Sequence, residues 1–218
     1  MSTTYLNIVN DVLVRLREPT VATVTENEYS SLIGKLVNDA KREVEDAWDW
    51  ECLKSTYSIS TVVNTYSYSL TGAGSRSRIY QVCNDTRDWF MEYRPTSWFT
   101  ENLILNPQPL SASPEYYNVN GVDSSGDIIV DFYPKPNAIE TIRFDVFKPE
   151  NELTSSTDTT KLPKNPIVAL AWAKAIEERG EDGGVNVSSQ YAVAKQALAD
   201  RIAVEANRRP DEFSFYSI

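Results

Sequence analysis

Histidine is absent from this chain of 218 residues, and cysteine occurs only twice, at Cys52 and Cys83. Without imidazole groups, neither the common zinc sites nor a Ser-His-Asp or Cys-His catalytic arrangement can be built. Small disulfide-stabilised scaffolds are much richer in cysteine, so we expect both thiols to be reduced and mostly buried. The composition therefore predicts no bound metal and no cofactor.

Long apolar runs are missing as well. No stretch approaches the roughly 20 apolar residues that a membrane-spanning helix needs. The first residues contain neither the basic region nor the apolar block of a secretory signal. We therefore expect no membrane contact and synthesis in the cytosol.

The sequence contains no phosphate-binding loop motif, and its basic residues are outnumbered by acidic ones. Neither G-x-x-x-x-G-K-[ST] nor G-x-G-x-x-G occurs, and the glycine-rich segment 71–75 has no following helix, which favours a turn. There are 21 Lys and Arg against 31 Asp and Glu, for a net charge of −10. A groove that grips nucleic acid needs the opposite sign. Tight DNA binding is therefore not expected, although DNA could slide past such a surface.

Carboxylates are abundant, but no spacing singles out a catalytic pair. The segment 123–127 (DSSGD) resembles the start of a calcium loop, yet it lacks the glutamate that completes an EF-hand. We predict no catalytic residue, and we expect that the chain is not an enzyme.

Helical periodicity marks the N-terminal part of the chain. The apolar positions from Tyr5 to Leu16 predict a first helix, with Thr3 or Thr4 as the N-cap and Pro19 after its end. A second helix runs up to Trp48, and the T-x-x-E spacing of residues 25–28 predicts a capping box at its start. Its last turns are acidic, where the helix dipole favours cations. These acids form either a solvated face or a patch that lines a channel or contacts another subunit; the channel-lining candidates are Glu43, Asp46 and Asp49.

Between residues 53 and 147 apolar and polar residues alternate with a period of two, which predicts an antiparallel β-rich lobe. Turn signals separate the later strands, and segment 95–105 is either a short helix or an irregular crossover. The predicted strands are centred on Tyr66–Leu70, Arg78–Cys83, Trp89–Tyr93, Tyr116–Val119, Ile128–Tyr133 and Ile139–Phe147.

Two more helices follow a polar connecting loop at residues 148–161. Asn165 and Pro166 predict the start of the first, which ends at Gly180. The second runs from about Ser188 to Arg208, and its predicted inward residues are Tyr191, Ala194, Leu198, Ile202 and Val204. The fold class is therefore predicted as α+β. Residues 1–52 and 162–218 form a helical bundle from the N- and C-terminal helix pairs, and 53–147 form an inserted antiparallel β-rich lobe.

The last residues are unusually apolar for a chain end. Beyond Pro210, four large apolar side chains fall within six positions: Phe213, Phe215, Tyr216 and Ile218. They pack either on their own helical bundle or into a neighbouring subunit or partner protein.

This layout resembles the head-to-tail adaptors of short-tailed bacteriophages, the tail tubular protein A-like family. The resemblance rests on loose motifs over most of the chain, and the β-rich lobe matches least. The motifs are Y-L-N-I-V-N-D-V-L-x-R-L-x-E-P (Tyr5–Pro19), W-x-W (Trp48–Trp50), L-P-x-x-P-x-x-A-L-A-W-A-x-A-x-E-x-R-G-E-D (Leu162–Asp182), Y-x-x-A-x-x-x-L (Tyr191–Leu198) and R-R-P-D-E (Arg208–Glu212).

The resemblance implies a structural virion protein in the neck of the tail. Its copies would form a dodecameric ring between the portal protein and the tail nozzle protein, with DNA passing through. The apolar tail would dock onto the portal. Two other functions stay open: a head-completion or stopper protein of a long-tailed phage, and a carbohydrate-binding or glycoside-cleaving virion protein. The latter predicts an exposed aromatic groove with a carboxylate pair about 5–10 Å apart.

Overall fold

The computed structural model describes residues 3–180 and 185–208, and the described chain is a mixture of helices and mostly antiparallel strands. The predicted α+β class is confirmed at this level. Two compact units are present. The first combines Met1–Cys52 with Glu150–Ile218, and the second is Leu53–Pro149.

The elements follow in chain order. The helices are α1 (Tyr5–Arg15), α2 (Glu28–Ala47), α3 (Thr96–Phe99), α4 (Lys164–Arg179) and α5 (Val185–Ala206), with a 3-10 turn at Glu51–Leu53 and a π-helical turn at Thr100–Ile104. The strands are β1 (Thr3–Thr4), β2 (Lys54–Ser60), β3 (Ser67–Ser69), β4 (Arg78–Asn84), β5 (Trp89–Phe90), β6 (Glu92–Tyr93), β7 (Ser111–Ala112), β8 (Tyr116–Val122), β9 (Ile128–Tyr133), β10 (Lys135–Pro136), β11 (Thr141–Phe147) and β12 (Thr159–Thr160).

Helix α2 begins with a different capping box from the predicted one. The Asn27 side chain accepts a hydrogen bond from the Ser30 N–H at 2.7 Å, and the Ser30 hydroxyl accepts one from the Asn27 N–H at 3.2 Å. The predicted pair Thr25 and Glu28 was wrong because asparagine caps as well as threonine does. Glu28 instead opens the helix, where a carboxylate interacts favourably with the helix dipole.

Helix α4 is the centre of the first unit, because it packs against α1, α2 and α5. It begins at Lys164 with Pro163 as the N-cap, whereas the predicted N-cap was Asn165 and the predicted first helical residue Pro166. Pro166 fits in the first turn, where its missing N–H would have had no helical partner. The buried alanines of α4 let neighbouring helices approach closely; they are Ala169, Ala171, Ala173 and Ala175.

Helix α5 buries few of its described side chains completely. Ala194 and Glu205 are fully buried, but Val204, predicted to face inward, is 46% exposed. The prediction was wrong because Glu205, eleven residues after Ala194 and so on the same helical face, occupies the inward position of that turn, and the neighbouring Val204 lies off this face. No helix among residues 3–180 and 185–208 is both long enough and apolar enough to cross a membrane.

Segment 150–160 is bound to the N-terminal helices, although its sequence has no periodic pattern. The Asn38 side chain donates to the Leu153 carbonyl at 2.9 Å and accepts from the Leu153 N–H at 3.0 Å. The Tyr5 N–H at the start of α1 donates to the Asp158 carbonyl at 2.7 Å. Strands β1 and β12 pair antiparallel alongside. The segment therefore accepts a hydrogen bond from an N–H group at the start of α1 that has no partner within the helix.

The second unit contains two four-stranded sheets, ordered β2-β11-β4-β5 and β3-β9-β8-β6. The apolar faces of these strands form one core cluster. The predicted strand Trp89–Tyr93 is interrupted at Met91, and its two halves join different sheets. Segment 95–105, which was predicted to be either a short helix or an irregular crossover, contains α3 and the π-helical turn.

Candidate functional site

The three acidic candidates lie at the end of α2 and just beyond it. Glu43 and Asp46 are exposed, whereas Asp49 is half-buried. The Glu43 carboxylate forms an ion pair with the Lys174 ammonium of α4. Glu45, which shares this acidic stretch, turns inward and is buried. The acidic residues of α2 are thus divided between the surface and the interior.

The four apolar tail candidates, Phe213, Phe215, Tyr216 and Ile218, lie outside the described residues.

A group of exposed aliphatic side chains lies at one end of the second unit, and sequence reasoning missed it. We call this group the aliphatic end; it consists of Val62, Val63, Leu110 and Ile139, which are 57%, 49%, 55% and 75% exposed. Ile139 was predicted to belong to the strand that follows it. The strand begins only at Thr141, which leaves Ile139 on the preceding turn.

Backbone hydrogen bonds bring the three turns of the aliphatic end together. The Thr61 N–H donates to the Glu140 carbonyl at 2.8 Å, and the Asn64 N–H donates to the Pro136 carbonyl at 2.8 Å. The Lys135 N–H donates to the Leu110 carbonyl at 3.0 Å, next to the parallel pairing of β10 with β7. The four aliphatic residues therefore occupy neighbouring turns.

A buried carboxylate fixes these turns. The Glu140 side chain accepts hydrogen bonds from Asn84 Nδ2 at 2.7 Å, Arg87 Nε at 2.8 Å and Ser113 Oγ at 2.7 Å. The Glu140 N–H donates to the Thr61 hydroxyl at 2.8 Å. A buried charge is stable in protein only when it is paired and hydrogen-bonded, and this one is both.

The pKa of Glu140 reflects this environment. Burial alone would raise it, but the hydrogen bonds from Asn84, Ser113 and Arg87, together with the charge of Arg87, outweigh burial. The pKa of Glu140 is therefore held below its ordinary value, and the carboxylate is charged at neutral pH.

Charge is scarce within the three turns that carry these side chains, but the neighbouring turn at residues 84–88, whose Arg87 side chain binds Glu140, exposes Asp85, Arg87 and Asp88. Segments 61–65, 106–113 and 134–140 contain two ionisable residues, Lys135 and the buried Glu140, in a chain of which 24% is charged. The Lys135 ammonium lies over the Tyr66 ring, 5.6 Å from its centroid. A rigid patch of exposed aliphatic side chains bordered by charged residues is suited to contact with another protein. Scarcity of charge around turn residues was the signal in the sequence that could have revealed it.

The segment that resembled a calcium loop is a hairpin turn whose carboxylates accept protein hydrogen bonds. Asp127 accepts from the Gly72 and Gly74 N–H groups at 2.9 and 2.8 Å. Asp123 accepts from the Ser69 hydroxyl at 2.5 Å and from the Ser125 N–H at 2.8 Å, and these bonds lower its pKa. Within the described ranges, no group of three or more Cys, Asp or Glu side chains is placed to hold a metal ion.

Aromatic rings of the second unit mostly pack against one another. The Trp98 ring lies 5.2 Å from the Tyr116 ring and 5.1 Å from the Tyr133 ring, and the Arg94 guanidinium stacks over Trp98 and Tyr116. Phe132 is buried and packs on Tyr68 at 5.1 Å. These rings contribute to the interior and to inter-strand packing.

No protein-family model matches this sequence, and no curated protein matches it significantly.

Proposed function

We propose that this protein is a structural subunit of a bacteriophage virion: a head-to-tail adaptor whose copies form a ring, expected to be dodecameric, between the portal protein and the tail nozzle protein. Its fold would be a helical bundle with an inserted β-rich lobe. One observation carries the proposal. Residues 1–52 and 150–218 belong to one compact unit although 97 residues separate them, and those residues, 53–149, form another unit. This division agrees with the layout that the family resemblance implies.

The helical unit would support the ring, and the apolar tail would dock onto the portal. Exposed carboxylates at Glu43 and Asp46, followed by Asp49, would line the channel. A surface of the same sign as DNA lets the duplex pass without adhering. Lys174 offsets part of the charge of Glu43 within this acidic patch.

The carbohydrate-binding alternative receives less support. It requires an open aromatic platform, whereas Trp98, Tyr116, Tyr133 and Phe132 pack against other rings of the same unit. Phe90 and Tyr93 are exposed, at 69% and 56%, but the Tyr93 ring packs edge-on against Tyr117 at 5.8 Å. The structural function needs no such platform, since it depends on surfaces that bind other proteins.

Light scattering with the portal of the same phage tests the proposal. The chain alone and the chain mixed with assembled portal are compared, and we expect a ring-sized complex in the mixture. A variant that lacks residues 211–218 should keep the wild-type thermal transition and lose the complex. Wild-type chain that stays monomeric in both samples, with the portal intact, would contradict the proposal. Loss of the thermal transition in the truncated variant would instead assign the tail to the subunit's own core.

A further inference from the structure

We infer that a pocket in the first unit binds the start of this chain's own C-terminal segment through the carboxylates of Asp211 and Glu212. Residues 209–218 lie outside the described residues, whereas the walls of the pocket are described. The inference goes beyond the proposed function, because the contact is made within one copy and requires no portal.

The pocket lies between the 3-10 turn at Glu51–Leu53, the start of α4 and the last turns of α5. Its volume is about 430 Å³, which is within the size range of sites that hold ligands. Its walls include the half-buried Cys52 and also Val204, which is 46% exposed. An exposed valine at the edge of a pocket is stabilised by an apolar cover, and Phe213 is the first apolar side chain after Glu212.

Cations predominate among the charged residues of the walls, although the whole chain has a net charge of −10. Four basic residues line the pocket against two acidic ones: Lys161, Lys164, Arg201 and Arg208 against Glu51 and Glu205. Lys164 forms an ion pair with Asp11 of α1, and Arg208 forms one with the buried Glu205 at 3.1 Å. Two of the four cations are therefore compensated.

Lys161 and Arg201 are the two cations of the pocket that are still available. Both residues are exposed, and neither forms an ion pair with another residue of the described ranges 3–180 and 185–208. The Glu150 carboxylate accepts from the Lys161 N–H at 2.8 Å, but it also faces the Lys41 ammonium at 3.8 Å. Glu51 opposes the entry of an anion in part, and the two available cations outweigh it.

Chain connectivity selects the occupant. Arg208 lines the pocket and is the last residue that the structure describes, so the following segment starts at the rim. Asp211 is three residues further along, which an extended chain spans in about 10 Å. Segment 209–212 reads R-P-D-E, so two carboxylates outnumber the one cation, Arg209. A segment tethered this closely has a high effective concentration, and a modest attraction is enough to hold it.

The contact fixes the start of the tail and not its end. In the proposed adaptor, the apolar residues beyond Glu212 then leave from a defined point beside α5. Less conformational entropy is therefore lost when they dock onto the portal.

Disulfide trapping against Cys52 measures whether the tail enters the pocket. Ser214→Cys places a thiol two residues beyond Glu212 and keeps both carboxylates, while the other native thiol, Cys83, is buried in the second unit. The isolated full-length chain is equilibrated with oxidised and reduced glutathione. The fraction in which Cys52 is linked to the introduced thiol, identified by peptide mapping, gives the effective concentration of one thiol at the other.

Reversal of the two available charges is the decisive comparison. In the Ser214→Cys chain, Lys161→Glu/Arg201→Glu should lower the effective concentration at least about tenfold, because the pocket then repels the carboxylates. Lys35→Glu/Lys195→Glu makes the same change in net charge at exposed positions outside the pocket and should leave the value unchanged. Thermal transitions should stay close to that of the parent chain, since all four side chains are exposed.

Exchange of the charges provides the second arm. Asp211→Lys/Glu212→Lys, added to Lys161→Glu/Arg201→Glu, should restore the disulfide. Equal trapping in the pocket reversal and in its control, or no recovery after the exchange, would overturn the inference.

Inorganic phosphate distinguishes an external anion from the tail. Saturable phosphate binding that the pocket reversal abolishes, together with a tail that is not trapped, would assign the pocket to a free anion and overturn the inference. None of these measurements includes the portal, so a wild-type chain that fails to bind the portal would contradict the proposed function and leave this inference standing.

Discussion

The Lys41 ammonium and the Glu45 carboxylate form an ion pair 2.6 Å apart on successive turns of α2, and their side chains are only 3% and 1% exposed. Lys41 also donates to the backbone carbonyl of Asn151 at 3.0 Å, and the Glu45 carboxylate accepts from the Glu150 N–H at 3.1 Å. The pair thus joins a helix of the N-terminal segment to the chain that returns after the second unit. An ion pair of this kind depends on both partners, since either charge alone would be buried without its nearest opposite charge.

Lys41→Met should therefore destabilise the protein strongly, by about 3 kcal/mol, because it leaves the Glu45 charge in the interior. Urea unfolding followed by helical circular dichroism measures the change. The double variant Lys41→Met/Glu45→Leu should recover part of the loss, since it removes both charges. Lys35→Met, at an exposed position of the same helix, is the control and should change stability little. Equal stability of Lys41→Met and Lys35→Met would contradict the expectation.

Low pH should reduce the stability of the second unit because Glu140 becomes protonated. Its pKa in the folded protein lies below the unfolded value of about 4.3, so its contribution to stability is complete above that pH. The contribution is lost as pH falls through the folded pKa, because protonation removes the charge that Arg87 pairs with. Glu140→Gln should be less stable than wild type at pH 7, and the difference should shrink as pH falls below about 4. Thermal unfolding between pH 7 and pH 3 tests this.

Glu115→Gln is the matched control for the acid prediction, because Glu115 is exposed in the same unit. Its stability should follow the wild type at every pH. A Glu140→Gln variant whose difference from wild type is constant over the same range would show that the Glu140 charge is not responsible.

The Asn38 side chain should contribute more to the stability of the folded protein than an asparagine within a helix usually does. It makes two hydrogen bonds with the backbone of Leu153, a residue 115 positions away. Asn38→Ala would leave a partly buried N–H and carbonyl without these bonds, at a cost of about 2 kcal/mol. Asn7→Ala, at an exposed position of α1, should be close to neutral. Hydrogen exchange should locate the effect, with faster exchange at the Leu153 amide in Asn38→Ala and no change in Asn7→Ala.

Local patterns predicted the helices well, because helical period and turn residues act within a few positions. Residues 5–15 and 28–47 could be assigned as helix from their apolar spacing alone. The candidate site could not be found in this way. Glu140 meets Asn84 only once the strand order places β4 beside β11, and it meets Ser113, which follows β7 of a different sheet, only through the tertiary fold; no sequence spacing encodes either contact. Ile139 was misassigned because an apolar residue before a strand looks like part of the strand.

Gly34 marks a close contact between α2 and the start of the chain. A Cβ atom at this position would lie 2.8 Å from Val24 Cγ1 and still closer to the Tyr5 hydroxyl oxygen. Gly34→Ala should therefore destabilise the protein by about 1–3 kcal/mol through overpacking, although alanine favours the helix by about 1 kcal/mol. Tyr5→Phe removes the nearest obstructing atom, so Gly34→Ala should cost less in the Tyr5→Phe background than in the wild type. Urea unfolding of the four proteins in this cycle measures the coupling. Equal costs in both backgrounds would mean that Val24, rather than the Tyr5 hydroxyl, limits the space at Gly34.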